Sequence, residues 1–444
     1  MIEISPEVVA IIFIVAIFAG ILTGFPLAIT LGGVAVVMGY LLFGPSSFEI
    51  LYTRAFHLLM NYTLVAVPCF IFMGSMLQYS GIAEKMYDAL YLWLGGLRGG
   101  LAIITVIIGT VLAAAVGIIA ASIAMLALVA LPAMVRRGYD KSLACGAVVA
   151  GGCLGILIPP SVMLVLYGPM AWISVGKLFM AAFFPGFMLS ILYCSYIAIR
   201  CRLQPDLAPA IPAEERRAPF MVKTVVAAKA VLPTALLILA VLGVIFLGIA
   251  PPTEASASGA VVATVLAVVY RRFSWRVLRD TALETLRLTA IILLIGSAAF
   301  GLVGIFISAG GAQVVEDLIL ATPGGRWGSL AAVMFLVFLL GFFIDWIGIL
   351  FIIVPIISPL APAMGFDPLW FAIMVCVNLQ ASFMTPPFAP GIFFLRGTVS
   401  PDLGISMEDI IRGVIPFALL VLVGVVLLAV FPEIALWLPA QMIK

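Results

Sequence analysis

The sequence predicts an all-α polytopic membrane protein, built as an inverted repeat with two re-entrant hairpins and two proline-broken helices. Of its 444 residues, 65% are hydrophobic and only 9% are charged, which excludes an ordinary soluble domain. Many apolar segments approach the roughly 20 residues that a helix needs to span a bilayer. Two of these segments are interrupted by a pair of prolines at matching places.

The matching interruptions are Pro159-Pro160 and Pro386-Pro387. Each follows a Gly-aromatic-Asp triplet, at 138–140 or 365–367, with 18 residues between the triplet and the proline pair. Proline lacks the amide that a helix needs and forces the preceding residue out of helical geometry. Two unrelated kinks are the simpler interpretation. Two broken spans in corresponding halves instead favour a transporter built from inverted repeats, with its binding site at the breaks.

The repeat divides the chain into a first repeat, 1–199, a cytoplasmic connector, 200–229, and a second repeat, 230–444. The first repeat is predicted to contain spans 7–24, 27–43 and 58–79, an interfacial helix 80–98, a hairpin 101–135 with its tip at 117–122, a broken span 143–172 and a span 178–199. The second is predicted to contain spans 230–248 and 256–270, a basic interfacial segment 271–287, a span 289–308, an interfacial segment 309–326, a hairpin 328–360 with its tip at 345–348, a broken span 368–396 and a span 412–431.

Basic residues predict that the two repeats have opposite orientations. Short loops rich in Lys and Arg stay in the cytoplasm. The connector carries such residues, and so does the loop after the first hairpin, with Arg136, Arg137 and Lys141. The equivalent loop of the second half, 358–368, has no Lys or Arg and is predicted to be external. Likewise, 271–287 is basic, whereas its counterpart 44–57 has only Arg54.

Polar groups beside the breaks are the candidate ligands. Each break leaves a half-helix N-terminus, which suits an anion, and unwound carbonyl groups, which suit a small cation such as Na⁺. The hydroxyls at this depth are Ser122, Ser161, Ser382 and Thr385, although an intramembrane hydroxyl commonly bonds only its own helix. Asp345 is predicted to orient the cation site because ionisable groups at this depth are functional by default. Glu254 follows a proline break, where capping a helix is its expected role.

Other kinds of chemistry find little support in the sequence. The six cysteines form no CxxC pair, so we expect free thiols. There is no HExxH motif, no GxSxG motif with triad partners and no nucleotide-binding GxxxxGK[ST] loop. Basic patches for nucleic acid are also absent. The lone histidine, His57, lies near the end of a loop.

Four segments resemble one known family. GGCLGILIPPSVMLVLYG (151–168), PTEA (252–255), FIDWIGILFIIVP (343–355) and MTPPFAPGIFFLRG (384–397) are similar to the large membrane subunit, DctM-like, of tripartite ATP-independent periplasmic (TRAP) transporters. The resemblance implies an elevator-type ion transporter fold in the bacterial cytoplasmic (inner) membrane. It also implies sodium-coupled uptake of a small organic anion, such as a carboxylate or sugar acid. The expected partners are a small four-helix membrane subunit and a periplasmic substrate-binding protein.

The resemblance also implies where sodium and cargo would bind. One sodium site would involve Gly117, Ser122, Gly152, Pro159 and Ser161. A second sodium site would involve Asp345, Gly348, Ser382, Thr385 and Pro386. The cargo would contact Ala121, Ser122, Pro160, Ser161, Trp346, Thr385 and Pro387. The first tip, Gly-Ile-Ile-Ala-Ala-Ser, is poorer in hydroxyls than is common in the family, so its cation ligands would be mostly backbone carbonyls.

Two alternatives remain open. In the first, the chain acts as a stand-alone sodium-coupled symporter or antiporter of the same fold superfamily, without a binding protein. In a different class, it is an uncoupled channel or scaffold subunit. An integral membrane enzyme is least supported, because the spans contain no cluster of His, Glu and Asp to carry out chemistry.

Overall fold

The computed structural model describes residues 5–210, 219–387 and 389–442, and within these ranges every regular element is a helix. The first half contains α1 (Pro6–Leu22), α2 (Leu27–Phe43), α3 (Ser47–Leu59), α4 (Ala66–Tyr79), α5 (Ile82–Leu94), α6 (Gly100–Val116), α7 (Ile119–Arg136), α8 (Lys141–Cys153), α9 (Val162–Ala171) and α10 (Val175–Leu203). The second half contains α11 (Phe220–Phe246), α12 (Pro252–Val269), α13 (Trp275–Ser308), α14 (Gly311–Leu320), α15 (Gly325–Leu340), α16 (Trp346–Ile352), α17 (Val354–Ile357), α18 (Leu360–Ala363), α19 (Pro368–Ser382), α20 (Pro390–Thr398), α21 (Met407–Val430) and α22 (Glu433–Ala440).

The predicted all-α, multi-span architecture is confirmed. By length and composition, eight helical stretches of the described residues can cross a membrane. One of the eight is α7, an arm of the first predicted hairpin. Because α7 is long enough to span a bilayer, the re-entrant character of the α6–α7 pair stays a prediction. The six cysteines are free, as expected.

An outer group of helices, α1–α5 and α11–α14, packs with matching contacts between the halves. Helix α2 packs on α13 as α4 packs on α12, and α1 packs on α14 as α5 packs on α11. Glycines of α13 allow α3 to approach closely. A Cβ placed on Gly296 would lie 3.0 Å from Leu58 Cδ2, and one on Gly301 would lie 2.9 Å from Leu51 Cδ2. Small residues at helix interfaces permit this spacing.

An inner group, α6–α9 and α15–α20, contains both broken helices, with α10 and α21 at its flanks. Helix α8 packs against α6, α7 and α21. Two glycine contacts hold it there. A Cβ on Gly109 would lie 2.7 Å from the carbonyl group of Gly151, and one on Gly146 would lie 2.2 Å from the carbonyl oxygen of Gly413. These helices therefore meet backbone to backbone, and α8 is buried along nearly its whole length.

Two predicted segments have a different form. The interfacial segment 271–287 and the span 289–308 are one helix, α13, of 34 residues. Its first half contains several Leu, Arg and Ala residues, which are strong helix formers, and no Gly or Pro to end it. The segment 44–57, for which no span is predicted, is mostly α3. The predicted span 58–79 consequently divides, with α3 ending at Leu59 and α4 beginning at Ala66.

Candidate functional site

Both broken helices begin in the same way. Gly138 and Gly365 have left-handed backbone geometry, with φ of 75° and 76°. The Asp140 carboxylate then accepts a hydrogen bond of 2.8 Å from an amide in the first turn of α8. The Asp367 carboxylate accepts two, of 2.8 and 2.9 Å, from the first turn of α19. Each triplet is thus a glycine turn followed by a helix cap, which orients the chain into the broken helix.

The first break is enclosed by protein. Helix α8 ends at Cys153 and α9 begins at Val162, and all residues from 154 to 161 are buried. The hydroxyl of Ser161 donates to the carbonyl oxygen of Ile156, within the break. The break therefore meets the requirement that irregular backbone at membrane depth be buried in protein.

The turn between α6 and α7 lies on this break. Gly117 in that turn has φ of 65°. A Cβ placed on it would lie 3.5 Å from Val162 Cγ2 and 3.7 Å from the carbonyl oxygen of Pro160. At the end of α8, a Cβ on Gly152 would lie 2.4 Å from Ile123 Cγ1. The structure thus brings together the segments predicted for the first site, with Pro159 within the break and Ala121 half-buried in the first turn of α7.

Ser122 differs from the other predicted hydroxyls. Thr385 Oγ1, in the second break, donates to the carbonyl oxygen of Ala381 in the last turn of α19 at 2.8 Å, and Ser382 Oγ contacts the Phe338 carbonyl oxygen of α15 at 3.3 Å. Ser122 is only 1% exposed, and its hydroxyl has no hydrogen-bond partner among the described residues. An unsatisfied buried polar group costs about 1–3 kcal/mol, so this oxygen is available to a ligand.

The second break is less enclosed. Helix α19 ends at Ser382 and α20 begins at Pro390. The amide of Gly391 donates to the carbonyl oxygen of Phe383 at 3.0 Å, which closes the break on one side. Thr385 is half-buried, however, and Pro386 and Pro387 are exposed.

The second predicted tip is displaced from its expected position. The turn spans 341–345, so Asp345 caps α16 and Gly348 lies inside that helix. Gly348 faces the outer group, where a Cβ on it would lie 2.8 Å from Leu27 Cδ2. It is Gly341 that meets the second break, since a Cβ there would lie 2.3 Å from Ser382 Cβ. Asp345 and the adjacent Trp346 are half-buried.

The two broken helices meet. A Cβ on Gly391, at the start of α20, would lie 2.9 Å from Val149 Cγ1 and 3.3 Å from Cys153 Sγ, both in α8. Beyond its break, α9 packs on α16 and α17, the second arm of the other helix pair. Likewise, α20 packs on α7. Each half-helix therefore rests on the hairpin arm from the opposite half of the chain.

Gln380 is a candidate that the sequence reasoning missed. It is fully buried, and neither atom of its side-chain amide has a partner within the described ranges. On α19 it lies about 200° around the helix from Asn378, whose amide donates to α15, so Gln380 faces the opposite side. Gln380 and Cys153 each precede the first proline of their break by six residues. Since Cys153 contacts the other broken helix, Gln380 is expected to face it too. Two amide side chains, Asn378 and Gln380, in an otherwise apolar segment were the available signal.

The fold and this site define a multi-pass membrane transporter. The described residues include no group of three or more His, Cys, Asp and Glu side chains that could hold a metal ion. The family model for the DctM component of the tripartite ATP-independent periplasmic transporters matches residues 14–434. The chain belongs to this family, whose members are transporter permeases rather than enzymes.

Several curated proteins are similar over most of their length. The C4-dicarboxylate TRAP transporter large permease protein DctM of Pseudomonas aeruginosa is 31% identical over 92% of this chain and 93% of its own. The ectoine/5-hydroxyectoine TRAP transporter large permease protein UehC of Ruegeria pomeroyi is 30% identical, covering 94% and 96%. The sialic acid TRAP transporter large permease protein SiaM of Vibrio cholerae is 30% identical, covering 85% and 86%.

A solved structure has a similar fold. The YdaH transporter of Alcanivorax borkumensis, whose crystal structure is described as having an unusual topology, superposes with a TM-score of 0.66. The match covers 93% of this chain and 98% of that one at 16% sequence identity. At this identity the likeness concerns the fold alone.

Proposed function

We propose that this chain is the translocating subunit of a sodium-coupled secondary transporter for a small organic anion in the bacterial cytoplasmic membrane. One observation carries the proposal: the turn between α6 and α7 lies on the first break, and the buried hydroxyl of Ser122, in the first turn of α7, has no hydrogen-bond partner among the described residues. Together with the unwound carbonyls of the break, this oxygen offers the hard, neutral ligands that suit Na⁺. The first tip has fewer hydroxyls than is common in the family. We propose that Ser122 is nevertheless a sodium ligand, together with the backbone carbonyls.

We assign the proposed sites as follows. Gly117, Ser122, Gly152, Pro159 and Ser161 supply the first sodium site. The second sodium site is formed by Asp345, Gly348, Ser382, Thr385 and Pro386. Gly348 can contribute to it only after α16 has moved away from α2. The cargo contacts Ala121, Ser122, Pro160, Ser161, Trp346, Thr385 and Pro387, and Gln380 adds an amide to this set.

The architecture we propose is an inverted repeat, 1–199 and 230–444, joined by the connector 200–229. In it, α6–α7 and α15–α16 are re-entrant hairpins, and the inner group moves against the outer group as an elevator. The reciprocal packing of α9 on α16–α17 and of α20 on α7 supports the repeat, as do the matching contacts of the outer helices.

Energetics limit the cargo. A tenfold sodium gradient supplies about 1.4 kcal/mol per ion, and each net charge moved across ~100 mV supplies roughly 2.3 kcal/mol. Two Na⁺ with a dianion move no net charge, so about 2.8 kcal/mol remains. Strong accumulation therefore requires a monoanion or more than two sodium ions. The relatives are named for different cargoes at nearly equal identity, so we leave the particular anion open.

Two partners complete the proposed transporter: a small four-helix membrane subunit and a substrate-binding protein that delivers the anion outside the membrane. The test is uptake into proteoliposomes of labelled succinate, sialic acid and ectoine, with and without these partners and with choline replacing sodium. Sodium-dependent uptake that needs the binding protein supports the proposal. Uptake without it favours a stand-alone symporter or antiporter, and uptake that persists in choline favours an uncoupled channel.

A further inference from the structure

A cleft of about 770 Å³ separates the outer group from the inner group at one end of the molecule. Its outer wall comes from α3 and α13, and includes Arg54, His57 and Asn61. Its inner wall comes from the C-terminal end of α9 and from the segment around Ser358. The end of α9 that lines the cleft is opposite the end that leaves the first break, so this half-helix connects the two places.

The cleft is positively charged. Arg54 contributes a guanidinium group, and the described residues that line the cleft include no Asp or Glu. Arg54 is half-buried and has no ion pair or hydrogen bond with any described residue. Its side chain lies on Gly304, where a Cβ would be 2.7 Å from Arg54 Cγ and 3.1 Å from Nε. Because a guanidinium carries five donors and no acceptor, water or an anion must satisfy it.

Asn61 adds donors of the same kind. Its side-chain oxygen accepts a hydrogen bond of 3.0 Å from the backbone amide of Thr63. That bond occupies the acceptor of the side-chain amide and leaves its two N–H donors for the cleft. The outer wall thus presents a cation and donor groups together. Such a lining concentrates anions and repels cations before they reach a narrower site.

We infer that this cleft is an aqueous entrance that collects anionic cargo, with Arg54 as the residue that sets its charge. The basic-residue pattern predicts that the adjoining loop 358–368 is external, which would make this the side of entry. This inference deepens the proposed function. It rests on that function only for the statement that the anion collected in the cleft is the transported cargo. The charge and water access of the cleft can be measured without any transport.

The experiment uses the full chain in zwitterionic vesicles, with Asn61→Cys as a reporter. The chain without this substitution gives the background labelling of its own free cysteines. The labelling rates of the anionic reagent sulfonatoethyl methanethiosulfonate and the cationic reagent trimethylammonioethyl methanethiosulfonate are compared. We expect the anionic reagent to be favoured, and Arg54→Gln to lower the ratio of the two rates about fivefold at low salt. Arg54→Lys should preserve the ratio.

Two further variants serve as controls. Arg202 is an exposed arginine in the last turn of α10, the helix that leads into the predicted cytoplasmic connector, so Arg202→Gln should leave the ratio unchanged. Thr53, an exposed residue of the same cleft, tests the inference if Arg54→Gln does not fold, because Thr53→Lys should raise the ratio. A reporter that neither reagent reaches would mean that lipid or protein fills the cleft, and would overturn the inference. A ratio unaffected by both charge changes would overturn it too.

Discussion

The two broken helices begin alike and each contains a pair of prolines, yet their breaks lie in different environments. The first break is buried from 154 to 161, and the α6–α7 turn covers it. In the second, Pro386 and Pro387 are exposed. The turn that would cover it meets the end of α19 at Gly341, but its other residues extend towards the outer group, where Phe343 contacts Phe18 with ring centroids 5.4 Å apart. The covering turn, rather than the proline pair, decides how closed a break is.

This difference suggests a division of labour. A closed, dehydrated break strengthens the interaction between an ion and its ligands, because the local dielectric constant is low. An open break can exchange its ligand with water. We therefore expect the first break to hold sodium firmly and the second to admit ligands more readily. Four experiments can test this contrast between the two breaks.

The glycine contact beneath the first break should be sensitive to added volume. We expect Gly109→Ala to lower the stability of the chain by about 2–3 kcal/mol, because the new Cβ would lie 2.7 Å from the backbone of Gly151. The thermal midpoint in detergent measures this. Gly243→Ala in α11 is the control, since its Cβ would have no atom within 4 Å, and helix propensity predicts a slight gain. Equal midpoints for the two variants would contradict the close packing.

The two amides of α19 should respond in opposite directions. Asn378→Leu removes the 2.7 Å hydrogen bond to the Met334 carbonyl oxygen and should cost about 1–2 kcal/mol. Gln380→Leu removes an amide without a partner in the described chain, so without ligand it should gain about 1 kcal/mol. Cargo should then no longer protect this variant against heating. A loss of stability in both variants would mean that Gln380 is satisfied.

Removal of the Ser122 hydroxyl should affect sodium rather than folding. We expect Ser122→Ala to raise the sodium concentration for half-maximal thermal stabilisation about tenfold, equivalent to about 1.4 kcal/mol. The midpoint in choline should stay the same or rise, because the hydroxyl has no partner in the described structure. Ser258→Ala is the matched control, since that hydroxyl bonds its own helix at 2.8 Å. Identical sodium curves for both variants would exclude Ser122 as a ligand.

Hydrogen exchange should report the difference in enclosure directly. The amides of 383–385, which lead into the exposed Pro386 and Pro387, should exchange several-fold faster than those of 154–158 and 161, because the second break is partly exposed and prolines carry no amide proton. Mass spectrometry of peptides covering each break measures both rates in one sample. Sodium should slow exchange at the first break more than at the second. Similar rates at the two breaks would remove the contrast.

Much of the fold could be predicted because hydrocarbon permits few backbone arrangements. The helical class, the two breaks, the free cysteines and helix α5 near 80–98 followed from composition and proline chemistry. The extent of α13 was missed, because a basic segment beside an apolar one resembles a change of element although the backbone continues. The second tip was placed too late by a few residues, since the sequence between 341 and 348 contains two glycines and only contacts select the turn.

The same distinction between predictable and unpredictable features applies to the candidate site. The positions of the two breaks, and the glycine turns and aspartate caps that begin the broken helices, could be predicted because those features depend on neighbouring residues. The packing of the helices, in contrast, leaves the buried Ser122 hydroxyl and Gln380 amide without partners among the described residues, and encloses the first break more fully than the second. These properties depend on groups distant in the chain, whose approach follows from the packing of whole helices.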